Sequence, residues 1–244
     1  MGIVLHGIFD KSPTHKTTAI IPAAGCGKRM GIGFNKLFLS INDKPILAYT
    51  LDAFELCNKI SEIIIVASPN EVEMIEDIVE DFGYRKVTNI VIGGATRQES
   101  VIRGFNAISE DTEIVLIHDA ARPLVTNDEI SDTIDAALKN GIACSGISPT
   151  DTVKKINSDV FCGTSDRNQL FLVRTPQTFK KDILQDVLRK STECGYTATD
   201  ESTLAEMCGY NVTAVKGKST NIKLTVQEDF LLISAYILSE EKLN

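Results

Sequence analysis

The sequence lacks several features that mark nucleic-acid-binding, membrane or secreted proteins. Among its 244 residues, 33 are acidic and 25 are basic, so it has no excess of Lys and Arg for a broad nucleic-acid or anionic-membrane surface. The longest apolar runs, such as residues 63–67, have the length of a strand and not of a membrane-spanning helix. The first residues also lack the order of a signal peptide. We therefore expect a cytoplasmic protein that binds neither nucleic acid nor membranes.

Cysteine pairs at metal-binding spacing are missing as well. The six cysteines are scattered, form no CxxC pair and have no histidine nearby at ligand spacing, which argues against a zinc site. Free thiols are typical of proteins in a reducing cytosol. A chain of this length can bury roughly 70–75% of the surface of its unfolded state, so its core requires no disulfide or metal.

From Thr17 onward, short β-branched apolar runs alternate with polar loops and amphipathic stretches. This alternation predicts parallel strands joined by helices. We expect one Rossmann-like α/β domain over residues 17–244, with a mixed, mostly parallel sheet and helices on both faces. Residues 1–16 show no such pattern and are interpreted as an N-terminal extension or an expression remnant. The predicted strands are 17–23, 61–67, 87–92, 113–118 and 142–147.

Capping-box patterns mark the predicted starts of helices. A Ser or Thr followed three residues later by Glu can satisfy two backbone N–H groups in the first turn of a helix. Gly141 is expected to end the helix that begins after Thr126. The predicted boxes are Ser68 with Glu71, Thr96 with Glu99, Thr126 with Glu129, and Thr225 with Glu228.

Residues 150–172 interrupt the alternation, because they include many polar residues and show no helical period. This pattern predicts an extended arm. A ribbon that projects from a compact sheet leaves strand edges unpaired unless another chain covers them. We therefore predict a homodimer formed through this arm.

A glycine-rich loop follows the first predicted strand, over residues 22–30, and Lys36 lies shortly after it. Small residues let backbone N–H groups approach an anion, and the nearby cations would compensate its charge. The loop does not match a dinucleotide-binding fingerprint, because Met30 stands where a third glycine is needed. It does not match a Walker A loop either, because Lys28 is followed by Arg29. A nucleoside triphosphate site and a flexible surface loop both remain open interpretations.

Two later loops also lie where ligands bind in α/β sheets, beyond the carboxyl ends of strands. Gly93 and Gly94 form a turn before Ser100, where a flat base could lie against the backbone, although a capped turn explains the same residues. Asp119 follows the fourth predicted strand, where it could bind Mg²⁺ or a sugar hydroxyl. The alternative is an ion pair between Asp119 and Arg122 that only shapes the turn.

Nine short segments occur along the chain in a characteristic order. They are residues 22–30, Lys36, Gly93 to Ser100 with Arg97 between them, and residues 118–123, 151–154, 166–168, 175–177, 199–201 and 221–225. Together they closely resemble the 2-C-methyl-D-erythritol 4-phosphate cytidylyltransferase family of the non-mevalonate isoprenoid pathway. The resemblance covers about residues 17–238. It implies transfer of the cytidylyl group from CTP to 2-C-methyl-D-erythritol 4-phosphate, with release of pyrophosphate and formation of 4-CDP-2-C-methyl-D-erythritol.

The resemblance also implies roles for individual residues. The catalytic set would be Arg29, Lys36, Arg167 and Lys223, with Arg167 acting across the dimer interface. The nucleotide would contact Pro22, Ala23, Ala24, Gly25, Gly27, Gly93, Gly94, Ser100 and Ala120. The acceptor would contact Asp119, Thr152, Arg167, Thr175, Thr199 and Lys223. The chain departs from some family members at Ala95, where they carry an acidic residue.

The implied reaction needs charge compensation more than acid–base catalysis. A phosphate monoester is already an anion at neutral pH, so its attack on the α-phosphorus requires positioning and neutralisation by Lys, Arg and Mg²⁺. We expect Mg²⁺ to be bound mainly by the CTP phosphates, and Asp119 is the candidate ligand from the protein. His118 could take part in this chemistry or could be a buried hydrogen-bonding residue.

Two other functions compete with this one, and the sequence argues against the second of them. A ribitol or ribulose 5-phosphate cytidylyltransferase of the same fold would use the same CTP loop. A catalytically silent nucleotide-binding dimer would not need the cations Arg29, Lys36, Arg167 and Lys223.

Overall fold

Eleven strands are present in the part of the chain that the computed structural model describes, residues 15–25 and 34–241. Two pairs of them form separate small hairpins, and the other seven form one central sheet. In chain order the strands are β1 (Thr17–Pro22), β2 (Ser40–Ile41), β3 (Lys44–Pro45), β4 (Glu62–Ala67), β5 (Val87–Ile92), β6 (Ile114–Ile117), β7 (Ile142–Ile147), β8 (Lys154–Asn157), β9 (Val160–Thr164), β10 (Leu172–Lys180) and β11 (Thr213–Lys216).

The central sheet has the order β11-β7-β10-β6-β1-β4-β5. Strand β10 is antiparallel to both of its neighbours, whereas the remaining pairs are parallel. The carboxyl ends of β1, β4, β5 and β6 therefore meet at one edge of the sheet. This arrangement confirms the predicted mixed, mostly parallel α/β sheet.

Helices cover both faces of the sheet. They are α1 (Ile46–Leu56), α2 (Val72–Phe82), α3 (Arg97–Phe105), α4 (Asn127–Asn140), α5 (Lys181–Cys194), α6 (Glu201–Met207) and α7 (Gln227–Glu241). The side chains of α1, α2, α4 and α7 pack on one face, and those of α3, α5 and α6 pack on the other. Across the described ranges, no helix is long and apolar enough to cross a membrane.

Alternation along the strands distributes the core between these two layers. In β1, Ala19 and Ile21 belong to one apolar cluster, and Ile20 belongs to the other. This division follows from the period of two in strand side chains. All three side chains are inaccessible to solvent, as expected for a central strand buried on both faces.

The five predicted strands are confirmed, with ends that differ by at most one residue from the prediction. Two strands of the central sheet, β10 and β11, were not predicted. Residues 175–179 of β10 are buried, but Pro176 and its polar neighbours hide the strand pattern. Proline lacks a backbone N–H, and the register of β10 against β7 shifts between Val173 and Gln177.

The helix N-termini only partly follow the predicted capping boxes. Thr126 and Glu129 form the complete box at the start of α4, and Gly141 ends that helix with a φ of 93°. At α3, the Thr96 hydroxyl accepts a hydrogen bond from the Glu99 N–H. The Glu99 carboxylate accepts instead from the Ala95 N–H, at 2.8 Å, so this box is only half formed.

The other two predicted boxes are wrong because their members have different partners. The Ser68 side chain makes no capping bond, and the Glu71 carboxylate accepts from Asn35 Nδ2 at 3.0 Å. Near the start of α7, the backbone N–H of Thr225 donates to Asp229 at 2.7 Å. Asp229 thus takes the position that was predicted for Glu228.

The predicted arm is confirmed as an extended structure. Strands β8 and β9 form an antiparallel hairpin in which every residue is exposed. The hairpin carries apolar side chains that remain accessible, with exposures of 62% at Ile156, 69% at Val160 and 70% at Phe161. Dimerisation through this arm stays a prediction.

Candidate active site

A pocket of about 400 Å³ lies at the carboxyl edge of the sheet, beside the ends of β1, β5 and β6. Its volume lies in the range of small-molecule sites. The predicted site residues that line this pocket are Pro22, Ala23, Ala24, Gly25, Lys36, Gly94, Ser100, Asp119, Ala120 and Lys223. The pocket therefore brings together residues from five separate stretches of the sequence.

Small residues form one wall of the pocket. The end of β1 is held to β4 by the Ala23 N–H, which donates to the Val66 carbonyl at 2.7 Å. The Ala23 carbonyl accepts from Asn35 Nδ2 at 3.1 Å, and this bond links the wall to the segment that carries Lys36. A backbone fixed in this way leaves room for a flat or anionic group beside it.

The turn between β5 and α3 forms the neighbouring wall. Ser100 Oγ accepts from the Gly94 N–H at 3.1 Å and donates to the Thr96 carbonyl at 2.9 Å. Gly93 does not line the pocket but lies directly behind it. A Cβ at Gly93 would lie only 2.8 Å from Ser100 Oγ and 3.0 Å from the Cβ of Ala24, so this close approach requires glycine.

Cations from distant segments of the sequence converge on the pocket. Lys36 lies in the short 3₁₀ helix Lys36–Phe38, and its ammonium group donates to the Leu224 carbonyl. Lys223 Nζ donates to Asp119 Oδ2 at 2.8 Å. Including Arg97, the described lining holds three cations and one carboxylate. This excess of positive charge suits a polyanionic ligand.

Asp119 lies at the centre of this charge cluster. Besides Lys223, its carboxylate contacts Arg97 Nε at 3.5 Å and Arg122 Nε at 3.4 Å. Burial alone would raise the pKa of Asp119, but the three cations together outweigh burial and hold the pKa well below its usual range. Asp119 is therefore a carboxylate at any pH near neutrality.

Arg97, which lines the pocket, forms an ion pair with the buried Glu201 that was not predicted from the sequence. Arg97 Nη1 donates to both oxygens of Glu201, at 2.7 and 2.8 Å, and the Glu201 side chain is only 1% exposed. The family resemblance includes Arg97 in a motif but implies no role for it. Its position at the start of a helix after the Gly93 turn was the one available signal.

His118 is a buried structural residue in this fold. Its Nε2 lies 3.3 Å from the Arg122 carbonyl, which can only accept, so Nε2 carries the proton. The Thr175 hydroxyl therefore donates to Nδ1 at 3.1 Å while accepting from the Asp119 N–H, also at 3.1 Å. Burial lowers the pKa of His118 to about 3, although the Asp119 carboxylate acts in the opposite direction. The imidazole is thus neutral and positions the Asp119 backbone.

Several predicted residues lie away from the pocket. Arg167 is exposed on the arm and donates to the Thr150 carbonyl at 2.7 Å. Thr152 and Thr199 are exposed, and Thr175 is buried behind Asp119. Arg29 and Gly27 lie outside the described residues. The functional roles of all these residues stay predictions.

The described residues offer limited protein ligands for a metal ion. No group of three His, Cys, Asp or Glu side chains that could hold a metal is found among them. Asp119 is the one carboxylate in the described lining of the pocket, and it is already paired with cations. This donor set fits a Mg²⁺ ion that takes most of its ligands from phosphate oxygens and water.

The sequence matches the family model for 2-C-methyl-D-erythritol 4-phosphate cytidylyltransferase over residues 17–239. The enzyme of that name from Clostridium botulinum (strain Langeland) is 43% identical over 218 residues, which cover 89% of this chain and 95% of the relative. The one from Bacillus cereus is 41% identical over 227 residues, covering 92% and 99% of the two chains.

Solved structures agree with these sequence matches. The 4-diphosphocytidyl-2C-methyl-D-erythritol synthase of Anaerococcus prevotii superposes with a TM-score of 0.81 at 31% identity, over 92% of this chain and 99% of that one. The 2-C-methyl-D-erythritol 4-phosphate cytidylyltransferase of Thermus thermophilus gives a TM-score of 0.73 at 29% identity, over 91% and 98%. By sequence and by fold, this chain belongs to the 2-C-methyl-D-erythritol 4-phosphate cytidylyltransferase family.

Proposed function

We propose that the protein transfers the cytidylyl group of CTP to 2-C-methyl-D-erythritol 4-phosphate, releasing pyrophosphate and forming 4-CDP-2-C-methyl-D-erythritol. Family membership over nearly the whole chain supports this activity. The observation that carries the proposal is the pocket where Lys36, Arg97 and Lys223 converge beside a wall of small residues. Such a pocket suits a triphosphate and an acceptor phosphate together.

The nucleotide is proposed to bind along the wall of small residues. Ala23, Ala24 and Gly25 would lie against the nucleotide, with Gly94 and Ser100 near the cytosine and ribose. Two of these residues are already fixed by the hydrogen bond between the Gly94 N–H and Ser100 Oγ. A preformed wall reduces the entropy that is lost when the nucleotide binds.

The chemical step is proposed to depend on charge compensation. An oxygen of the acceptor phosphate attacks the α-phosphorus of CTP, a new P–O bond forms, and pyrophosphate leaves with the electrons of the broken P–O bond. The nucleophile is already an anion, so no general base is needed. Lys36, together with Arg29, would face the triphosphate, and Lys223 would hold the acceptor phosphate. Fixed cations act most strongly on the negative charge that is shared in the transition state.

A divalent cation is proposed to accompany the nucleotide. When bound, Mg²⁺ would be held chiefly by the CTP phosphates, with Asp119 as the nearest protein carboxylate in the described pocket, and it would neutralise phosphate charge. Asp119 itself is engaged by Lys223 at 2.8 Å. Its main proposed role is therefore to orient that lysine and the acceptor.

The acceptor side of the site is proposed to be completed by a second copy of the chain. Arg167, Thr152 and Thr199 are exposed, and Arg167 lies just after the arm hairpin. The exposed apolar residues of that hairpin support a homodimer in which Arg167 reaches the partner's pocket.

A cytoplasmic location is also proposed. Within residues 15–25 and 34–241, the cysteines Cys57, Cys144, Cys162, Cys194 and Cys208 are free thiols. Two of them, Cys162 and Cys194, are exposed, and such thiols stay reduced in a cytosolic environment.

Steady-state pyrophosphate release with CTP and each acceptor tests the proposed reaction. We expect turnover with 2-C-methyl-D-erythritol 4-phosphate and a much lower kcat/KM with ribitol 5-phosphate or ribulose 5-phosphate. A preference for either pentose-derived acceptor would assign the protein to the sister activity. Pyrophosphate release with none of the three would leave the silent nucleotide-binding dimer as the remaining interpretation.

A further inference from the structure

We propose that Glu129 and Arg174 are positioning residues for Lys223, because together they hold the 217–221 loop that precedes it. This role rests on the proposed cytidylyl transfer, since it assigns Lys223 to the reaction. Neither residue lines the pocket, so both act through the loop.

Glu129 holds the loop from the side of helix α4. Its side chain is buried, and its Oε1 accepts from the Lys218 N–H at 2.9 Å and from Asn221 Nδ2 at 3.2 Å. Its Oε2 accepts from the Thr126 N–H at 3.3 Å as part of the capping box. One carboxylate therefore ties the start of α4 to both ends of a tight turn, in which the Asn221 N–H donates to the Lys218 carbonyl at 3.2 Å.

Arg174 holds the same loop from the side of strand β10. Its Nη1 donates to the carbonyls of Lys218, Ser219 and Asn221 at 3.0, 3.1 and 2.9 Å. Arg122 adds a bond to the Asn221 carbonyl at 2.9 Å while its Nε contacts Asp119. Carbonyl groups that converge on one guanidinium fix the shape of the loop more firmly than single bonds would.

The loop leads directly into the pocket. Two residues after Asn221, Lys223 reaches Asp119, and the next carbonyl, that of Leu224, accepts from the ammonium of Lys36. The Leu224 N–H donates to the Ala121 carbonyl at 2.8 Å, which fixes the segment against the turn after β6. A shift of the loop would therefore displace Lys223, the lysine on the acceptor side of the pocket.

Close packing at Gly217 indicates how tightly the loop is held. A Cβ at this position would lie 2.5 Å from Ser145 Oγ and 2.6 Å from Glu129 Oε1. The Gly217 N–H also donates to the Gly146 carbonyl at 2.8 Å. The loop thus begins at a point with no room for a side chain facing Glu129.

Arg174 further connects the loop to the arm. It lies in β10, two residues after the end of the 150–172 arm, so a displacement of the arm would reach Lys223 through Arg174 and the three carbonyls. Arg174 therefore connects the exposed arm to the loop that precedes Lys223.

The test compares Glu129→Gln with Glu62→Gln. Glu62 is the matched control, because it is a buried carboxylate held by the hydroxyls of Thr18, Thr88 and Ser109, away from the 217–221 loop. Both oxygens of Glu129 accept hydrogen bonds, Oε1 from the loop and Oε2 from the Thr126 N–H. In either orientation, the amide N–H₂ of Glu129→Gln therefore faces a donor. We expect kcat/KM for the acceptor to fall by about tenfold or more, as small misplacements of reacting groups do, while KM for CTP stays nearly unchanged. Glu62→Gln should leave both values unchanged.

A double-variant cycle separates positioning from a general loss of stability. If Glu129 acts through Lys223, adding Glu129→Gln to Lys223→Ala should lower kcat/KM for the acceptor little further, whereas independent effects would multiply. Arg174→Lys should behave like Glu129→Gln, because one ammonium group cannot copy the planar guanidinium. Melting temperatures of all variants are measured alongside.

Chemical modification gives a readout that does not depend on turnover. Lys223 is labelled with acetic anhydride in the unliganded protein, and the rate is followed by mass spectrometry. We expect faster labelling of Lys223 in Glu129→Gln and Arg174→Lys than in the wild type and in Glu62→Gln. If the wild type transfers to none of the acceptors, the proposed function fails, while the labelling still tests the positioning. Unchanged labelling, or multiplicative kinetic losses in the cycle, would overturn the positioning role.

Discussion

At the scale of single residues, Asp119 explains the electrostatics of the pocket. Three cations contact its carboxylate, and their combined effect on its pKa outweighs burial. A buried carboxylate with this many partners organises the side chains around it and contributes little net negative charge. The pocket can therefore present a positive surface to phosphate groups although a carboxylate lies within it.

Lys36 is the residue whose removal tests charge compensation most simply. In Lys36→Ala we expect kcat to fall by about 10²-fold, as when one group that stabilises transition-state charge is removed. Lys216→Ala is the matched control, because it removes the same charge from an exposed position on the edge strand β11. Initial rates of pyrophosphate release give the comparison, and equal rates for wild type and Lys36→Ala would exclude the lysine from the mechanism.

His118 links the site to the pH dependence of stability. Burial lowers its folded-state pKa to about 3 from the ordinary value of 6.5, so between these values only the unfolded chain binds the proton. Its contribution to the free energy of unfolding is thus complete above pH 6.5. As the pH falls toward 3, this contribution decreases by about 1.4 kcal/mol per pH unit.

The variant His118→Gln lacks the titrating group but can still donate to the Arg122 carbonyl. Urea unfolding at pH 7.5, 5.5 and 4.5 should show a smaller loss of stability with falling pH in the variant than in the wild type. Parallel pH profiles for the two proteins would contradict the neutral, buried imidazole.

At the scale of elements, the turn before α3 fixes the wall that faces the nucleotide. Gly93→Ala introduces a methyl group 2.8 Å from Ser100 Oγ, and we expect CTP affinity to fall by about tenfold as this wall is displaced. Gly104→Ala overpacks the other end of the same helix, with a Cβ 2.6 Å from Ile20, and serves as the control. Calorimetric titration should show weaker CTP binding by Gly93→Ala than by Gly104→Ala. Equal CTP affinities of the two variants would show that the wall does not contact the nucleotide.

Elements with a clear local pattern could be predicted from the sequence, and those defined by long-range contacts could not. Strands such as β1 and β4 are continuous apolar runs, and their ends were predicted to within one residue. Strand β10 was missed because Pro176 and polar residues mask a buried strand. The Ser68 capping box failed because Glu71 pairs with Asn35, 36 residues away, and local spacing carries no information on such a partner.

At the scale of the whole molecule, the site could be predicted only in part. The wall of small residues and the lysines follow from the motifs and the family resemblance, and ten of the predicted residues line one pocket. The Arg97–Glu201 ion pair joins residues 104 positions apart. The Glu129 side chain joins α4 to the 217–221 loop through Lys218, which lies 89 positions later. One sequence gives no signal for either contact, because both depend on how the helices pack on the sheet.

The arm makes a prediction about assembly. Phe161 is 70% exposed on the hairpin, and in Phe161→Asp we expect a shift from dimer to monomer together with a loss of turnover. Phe161→Leu keeps an apolar side chain and should remain dimeric. Sedimentation velocity measures the mass of each variant. A monomeric wild type, or a dimeric and fully active Phe161→Asp, would refute assembly through the arm.

A crystal structure of the protein with CTP and Mg²⁺ tests the central claim most directly, namely that one pocket gathers the nucleotide and the cations. We predict the cytosine beside Gly94 and Ser100, and the triphosphate within hydrogen-bonding distance of Lys36. A nucleotide bound elsewhere, or Lys36 and Lys223 turned away from the phosphates into solvent, would contradict the account.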